Sequence, residues 1–355
     1  MFVSEPTGLW QTLINFFEDF LLNYAWAIIL LTICIKLILT PLDFLNKKVA
    51  RDNARMQAAV APQMAKLQKQ YANDRAKLNQ KTQELYKSNG YNVVGSCIIM
   101  LLNLVLTMVI FLTLFGALNS MSAYKIEDQY LTLQDTYQTT YTQTIGTPDE
   151  KKAAAEAAVL AKYDETQEKF IWVQNVWVAD NPWTDAILPY SGYISSVGNE
   201  VRLTLNSESV KYNELSEEQK AAFEDEYNKV MNILFEKRNG VNGFLITAIL
   251  AVATSILSQY LMQLSNKRKA KKRVAAAGGD MSAMPAQTNK IMMIILPIIM
   301  GLITLFYNTV FGLYIIAGQL VSLATFPLID KLLDIYYDKK DKKREQQIKA
   351  DYSRK

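Results

Sequence analysis

The chain has 355 residues, 38 Lys and Arg against 34 Asp and Glu, and no histidine. Without histidine there is no Ser-His or Cys-His nucleophile pair, no His general base and no His-ligated metal, and Cys34 and Cys97 sit alone in apolar runs, which argues against a disulfide framework or a zinc site. A mean hydropathy of +0.02 describes a soluble protein only on average, because apolar and charged residues are segregated along the chain.

At residues 1–20, Leu9, Leu13, Phe16, Phe17 and Phe20 recur at helical spacing around Trp10, which predicts a helix lying in the outer membrane interface. No basic leader precedes the first apolar run and no early cysteine is offered for a lipid anchor, so no removable signal peptide is expected. Five apolar runs follow, at residues 21–42, 93–118, 244–264, 291–307 and 310–329. Crossing a bilayer takes about 20 residues, so five such runs predict a polytopic membrane protein. Only Asn308 and Thr309 separate the last two, which reads as a tight helical hairpin.

Between the first two runs, residues 43–92 read as a helical hairpin. Val49, Met56, Val60 and Leu67 form one narrow apolar stripe, continued by Tyr71, Leu78 and Leu85. Asn73–Asp74 offers a cap between the arms and Asn89–Gly90 a stop, while Pro62 is expected to kink or break the first arm. So narrow a stripe predicts a mobile hairpin.

The long segment 119–243 contains two helix starts. Thr147-Pro148-Asp149-Glu150 is a capping box with proline at the first helical position, leading into 151–170. Ser216-Glu217-Glu218-Gln219 is a second, leading into a helix that ends near Asn239–Gly240. Val201–Leu205 alternates like a short strand, residues 130–144 are rich in Tyr, Thr and Gln without a readable pattern, and 278–287 reads as a small-residue linker.

Charge between the apolar runs predicts orientation, because Lys and Arg favour the cytoplasmic side. Residues 43–92 and 265–290 each carry +6 and the tail 330–355 carries +3, against −3 for residues 1–20 and −9 for 119–243. The alternation places the N-terminus and the acidic segment outside and the C-terminus in the cytoplasm. The basic clusters Lys267–Arg273 and Lys339–Lys355 fit contact with ribosomal RNA or anionic lipid, and equally fit the topological bias alone.

Lys36 is the one Lys, Arg, Asp or Glu well inside an apolar run. A lysine near the bilayer centre costs about 2.5–3.5 kcal/mol on insertion scales. Snorkelling to the inner interface is one account of it. The other is a wet groove: Thr32, Lys36 and Thr40 share one helix face at i, i+4 and i+8, Ser96, Asn103 and Thr107 form a polar stripe on the second run, and Gln319 and Ser322 on the fifth. Interhelical hydrogen bonding explains such stripes too, and is preferred for Thr247, Thr254, Ser258 and Gln259 of the third run.

The order of these features resembles the YidC family of membrane-protein insertases. The resemblance rests on Lys36 five positions before Pro41, on Met56…Pro62…Leu67…Tyr71…Asp74…Leu85-Tyr86-Lys87 followed by Asn92 and Cys97, and on Phe170–Asn175 with Asp180-Asn181-Pro182-Trp183. Asn289–Met293 with Pro297, and Leu313-Tyr314 with Gln319, fit the last two core helices. Departures are Lys36 where the family often has arginine, Val93, Ile99 and Val105 where prolines are usual, and a longer outer segment around 190–243.

The resemblance implies an all-α fold with five transmembrane helices, a cytoplasmic helical hairpin and a mainly helical extracytoplasmic insertion in the bacterial plasma membrane. It implies an insertase and chaperone, not an enzyme, that takes hydrophobic segments of nascent membrane proteins into a polar cytoplasm-facing groove and releases them into the bilayer. The groove residues would be Lys36, Thr32, Thr40, Asn103, Thr107, Gln319 and Ser322. No cofactor or metal is called for, and the ribosome and the Sec translocon are expected partners, with no specific DNA. The rival reading is a small transporter or channel with Lys36 as an anion site, but neither internal repeats nor paired broken helices are found.

Overall fold

The computed structural model describes residues 5–21, 23–89, 93–197, 202–205, 208–276 and 290–352. Ten α-helices are built there: α1 (Leu9–Leu21), α2 (Tyr24–Gln70), α3 (Arg75–Ser88), α4 (Val93–Gln143), α5 (Pro148–Thr166), α6 (Tyr190–Val197), α7 (Glu217–Arg238), α8 (Ile246–Ala276), α9 (Lys290–Phe306) and α10 (Thr309–Tyr352). The one sheet among the described residues is an antiparallel hairpin, β1 (Arg202–Leu205) with β2 (Glu208–Lys211), Leu203 opposite Val210. Four of the helices, α2, α4, α8 and α10, carry stretches long and apolar enough to cross a membrane, and a shorter apolar helix runs over Pro297–Phe306. The small-residue linker expected at 278–287 lies outside the described residues.

Several helices outrun their apolar segments. The first run and the first hairpin arm form one helix, α2, which passes unbroken through Pro41 and Pro62, so the break expected at Pro62 does not occur. Proline removes one backbone donor, and 47 residues of continuous helix hold the remaining bonds on either side. The Tyr-, Thr- and Gln-rich stretch 130–144 continues α4 as far as Gln143. The chain falls into two compact units, and α2, α4, α8, α9 and α10 contribute residues to both.

The first unit comprises Met1–Thr32, Phe111–Ala253 and Ile298–Ala317. Both capping boxes form as the spacing predicts: Thr147 with Glu150 at α5 and Ser216 with Gln219 at α7. Arg238 donates twice to Asp164, at 3.0 and 2.9 Å, and this pairing holds the exposed Asp164 carboxyl below its usual range. Tyr130, Tyr193, Tyr227 and Phe223 build an aromatic core, with Tyr193 and Tyr227 ring centroids 4.6 Å apart. Tyr227 donates its hydroxyl to the Leu188 carbonyl at 2.8 Å, and burial pushes its phenol well above the usual range. Where α9 and α10 approach α8, a Cβ at Gly301 would meet Val252 and one at Gly312 would meet Thr247, so small residues set the helix separation.

The connection from Glu168 to Leu188 supplies this unit's tightest polar contacts. Asn23 caps α2 by accepting from the Trp26 amide at 3.2 Å, and donates to the Lys169 carbonyl at 3.3 Å. The buried Asp180 carboxylate accepts from the Leu245 amide at 3.1 Å and the Thr247 amide at 2.7 Å, so it caps α8 from another part of the chain. The Trp172 indole donates to it at 3.1 Å. Asn181 donates to the Leu305 carbonyl near the end of α9, and the Thr309 amide donates to the Val178 carbonyl at the start of α10. Asn242, fully buried, ties the connection to itself: its amide donates to the Asn175 and Ala179 carbonyls, and its oxygen accepts from the Asn175 amide at 2.7 Å.

The second unit comprises Ile33–Ile110, Thr254–Pro297 and Gly318–Lys355. Asp74 caps α3 as expected, accepting from the Lys77 amide at 2.9 Å, and α3 buries none of its residues. The first arm behaves differently. Lys47 pairs with Asp330 at 3.3 Å, Arg51 with Asp334, and Arg55 reaches both oxygens of Asp341 at 2.7 and 2.8 Å. Tyr337 stands inside this ladder, donating to Asp52 at 2.5 Å and presenting its ring to the Arg55 guanidinium 4.7 Å away. Beneath it Ile329, Leu333 and Tyr337 form an apolar cluster joined by Phe44. The apolar stripe alone is narrow, and charge pairing supplies what it lacks.

Four variants test these contacts in thermal unfolding of the detergent-solubilised protein. Asn242→Ala strands buried carbonyls and is expected to lose about 2–4 kcal/mol, and Gly243→Ala is expected to unfold early because its Cβ would overlap the Asp180 carboxylate. Along the ladder, Arg51→Met is expected to lose about 1–3 kcal/mol, since the Arg51 side chain is 6% exposed. Arg55→Met, at 36% exposure, is expected to lose about 0.2–1 kcal/mol, and that loss shrinks as salt is raised.

Candidate functional site

Helix α2 carries Thr32, Lys36 and Thr40 on one face because it is continuous through all three. The Thr32 hydroxyl donates to the Ile28 carbonyl at 2.7 Å and the Thr40 hydroxyl to the Lys36 carbonyl at 2.9 Å, so both are satisfied within their own helix. Lys36 is half-buried. Among the described residues its ammonium makes no ion pair, and Asp43, two turns along α2, is the carboxyl that feels its charge. Asp43 lies seven residues away along the helix, so Lys36 has no close protein counter-ion among the described residues.

The other candidates lie on α4 and α10. Asn103 is half-buried and Thr107 exposed, flanked on α4 by exposed Leu102, Leu104 and Leu106. Gln319 and Ser322 are half-buried, and the Ser322 hydroxyl donates to the Gly318 carbonyl at 2.8 Å. The second unit holds Lys36, Thr40, Asn103, Thr107, Gln319 and Ser322, and Thr32 is the last residue of the first unit's opening segment. The candidates therefore divide: Thr32, Thr40 and Ser322 spend their donors on backbone, whereas Lys36 makes no ion pair with a carboxylate among the described residues.

A cavity of ≈ 400 Å³ in the second unit is lined by none of the seven. It lies at Lys47, Ser258, Arg268, Lys269, Phe326 and Asp330, where apolar side chains give way to charged ones. In the sequence Arg268 and Lys269 belong to the basic cluster Lys267–Arg273, which fits ribosomal RNA, anionic lipid or the topological bias alone, whereas Lys47 counts only toward the cytoplasmic charge. The signal that marks them is periodic: Lys47, Arg51 and Arg55 at i, i+4 and i+8, matched by Asp330 and Asp334 at i and i+4. Thr247 of the third run accepts from the Trp172 indole at 3.1 Å, in keeping with a structural role. In the first unit a smaller groove of ≈ 250 Å³ is lined by Gln134, Tyr137, Tyr141, Glu226 and Lys229, from the stretch whose pattern could not be read. Among the described residues no group of three or more Cys, Asp or Glu is arranged to hold a metal ion.

A model of the 60Kd inner membrane protein family matches residues 16–335. A protein named membrane protein insertase YidC from Fusobacterium nucleatum is 36% identical over 108 residues, covering 30% of this chain and 49% of that protein. Proteins of the same name from Nitratidesulfovibrio vulgaris and Ectopseudomonas mendocina are 37% identical over 103 residues and 38% over 117, each match covering 18% of the relative. The aligned stretch thus spans between under a fifth and about half of these relatives' length. No solved structure matches the chain. The family match runs from within α1, through every described membrane-length helix, into α10, and on that ground the chain belongs to the 60Kd inner membrane protein family, the family of the YidC insertases, as a multi-pass membrane protein.

Proposed function

We propose that this chain is a membrane-protein insertase working in the bacterial plasma membrane through a polar groove centred on Lys36. The single observation that carries the reading is a half-buried lysine, inside an apolar run, whose ammonium has no carboxylate partner among the described residues. A charge so placed costs free energy that folding alone gives no reason to spend. The name shared by the relatives, membrane protein insertase, supports the same reading.

The proposed arrangement has five spans, α9 being the short fourth, with the N-terminus and the acidic 119–243 segment outside and the hairpin, the 265–290 loop and the tail in the cytoplasm. Lys36, Thr32, Thr40, Asn103, Thr107, Gln319 and Ser322 line the groove. Its chemistry is physical rather than covalent. Polar walls shorten the distance over which a substrate's hydrophilic flank crosses hydrocarbon, and the Lys36 charge attracts acidic residues in that flank. The apolar segment of the substrate then leaves sideways into lipid. Nascent membrane proteins are the substrates, with the ribosome and a Sec translocon as delivering partners.

Reconstituted insertion of a substrate with an acidic translocated tail tests the charge. Lys36→Glu is expected to reduce insertion about tenfold or more and Lys36→Arg to retain most of it, since a charge reversal exchanges attraction for repulsion. Full insertion by Lys36→Glu would refute the groove charge. Site-specific crosslinking tests the lining: Asn103→Cys and Gln319→Cys are expected to capture a stalled nascent chain, and Leu302→Cys on the exposed face of α9 is not.

A further inference from the structure

The cavity of ≈ 400 Å³ in the second unit plays no part in the proposed groove, and its lining is of two kinds. Leu261, Met262, Leu323 and Phe326 are apolar; Lys47, Arg268, Lys269 and Asp330 are charged. The charges do not cancel. Three cations face one carboxylate in the lining, and Asp334 behind them is shared between Arg51 and Lys269, which leaves the cations in excess.

The three cations are engaged to different degrees. Lys47 is held, donating to the Phe326 carbonyl at 3.0 Å and pairing with Asp330 at 3.3 Å. Asp330 is saturated, since it also accepts from the Ser265 hydroxyl at 2.8 Å and pairs with Lys269 at 3.4 Å. Lys269 lies 3.4 Å from Asp334 too, yet its ammonium nitrogen is buried with no hydrogen bond. Arg268 is exposed at the rim and, among the described residues, forms no ion pair. A buried ammonium that is ion-paired but makes no hydrogen bond, beside a guanidinium with no ion pair among the described residues, suits an anion with several oxygens.

Position and lining narrow the anion's class. The cavity sits where the apolar stretches of α8 and α10 end, at Lys267 and at Asp330, the depth at which a lipid headgroup meets a membrane protein. Exposed Leu257, Leu261, Leu320 and Leu328 extend the apolar lining along the same two helices. An inorganic or sugar phosphate would leave that lining uncovered, and a nucleic-acid backbone has nothing to lay on it.

We propose that this cavity is a headgroup site for an anionic phospholipid, its phosphodiester held by Arg268 and Lys269 and its acyl chain lying on Leu261, Met262, Leu323 and Phe326. The inference rests on the membrane-spanning part of the proposed function and not on the insertase activity. Lys47 and Asp330 hold the floor of the site in place, with Asp330 setting how much positive charge is left for the lipid.

The test uses the full-length chain in a neutral detergent, titrated with phosphatidylglycerol or phosphatidylcholine, with bound lipid counted by native mass spectrometry. Phosphatidylglycerol is expected to be retained and phosphatidylcholine not. Arg268→Gln is expected to weaken phosphatidylglycerol about fivefold. Lys267→Gln, which removes an equal charge from a residue outside the lining, is expected to leave it unchanged. Asp330→Asn, isosteric and one negative charge fewer, is expected to tighten binding, a gain that misfolding cannot imitate. Equal losses in Arg268→Gln and Lys267→Gln, equal retention of both lipids, or displacement by soluble glycerol phosphate or an RNA oligonucleotide would overturn the site. An insertion assay run beside it separates the two readings: lipid counts respond to Arg268→Gln whether or not insertion responds to Lys36→Glu.

Discussion

A helix that leaves a membrane exposes backbone amides or carbonyls which neither water nor lipid is placed to satisfy, and the first unit is organised around pairing them. The Glu168–Leu188 connection has little regular structure because its groups serve other elements. Asp180 closes the start of α8, the Val178 carbonyl meets the start of α10, Asn181 reaches the end of α9, and Lys169 fixes the Asn23 cap of α2. Asn242 completes the arrangement by binding the connection's own carbonyls. A buried polar network of this kind is stable only when its members are satisfied together, which makes each of these side chains hard to replace.

The second unit is held by charge. The hairpin's first arm has too thin an apolar stripe to fasten itself, and the Lys47, Arg51 and Arg55 column binds it to the carboxylates of α10 around Tyr337. The second arm, α3, buries none of its residues. The basic residues first counted as a topological signal do three kinds of work: some pair with α10, some line a cavity with charge to spare, and Lys36 stands apart inside the apolar run. Residue type does not separate these roles; the neighbouring carboxylates do.

Much of the fold could be read from local pattern. The capping boxes at Thr147 and Ser216, the Asp74 cap, the strand at Arg202–Leu205 and the turn before Thr309 all form within a few residues of where spacing places them. The caps depend on contacts within about four residues and the strand on a hairpin partner within nine, short spans that a sequence displays directly. Harder to read were Pro62, which the continuous α2 absorbs, and residues 130–144, whose Tyr, Thr and Gln lack an apolar period although α4 runs through them to Gln143. Part of that stretch is packed: Tyr130 and Leu133 are buried, and Tyr130 meets Tyr193 of α6 and Tyr227 of α7, which lie far along the chain.

By itself, then, the sequence determined the class of protein, the order of its helices, their caps and the isolation of Lys36, because hydropathy, capping and charge are properties of short windows. Only the tertiary structure decided that Asp180 caps a helix 66 residues away, that the α2 cations pair with α10 rather than with solvent, and that Arg268 and Lys269 share a cavity with apolar side chains. The physical reason is the same in each case. A buried or half-buried charge takes its role from the groups brought to it in space, and those groups come from segments that no local pattern connects.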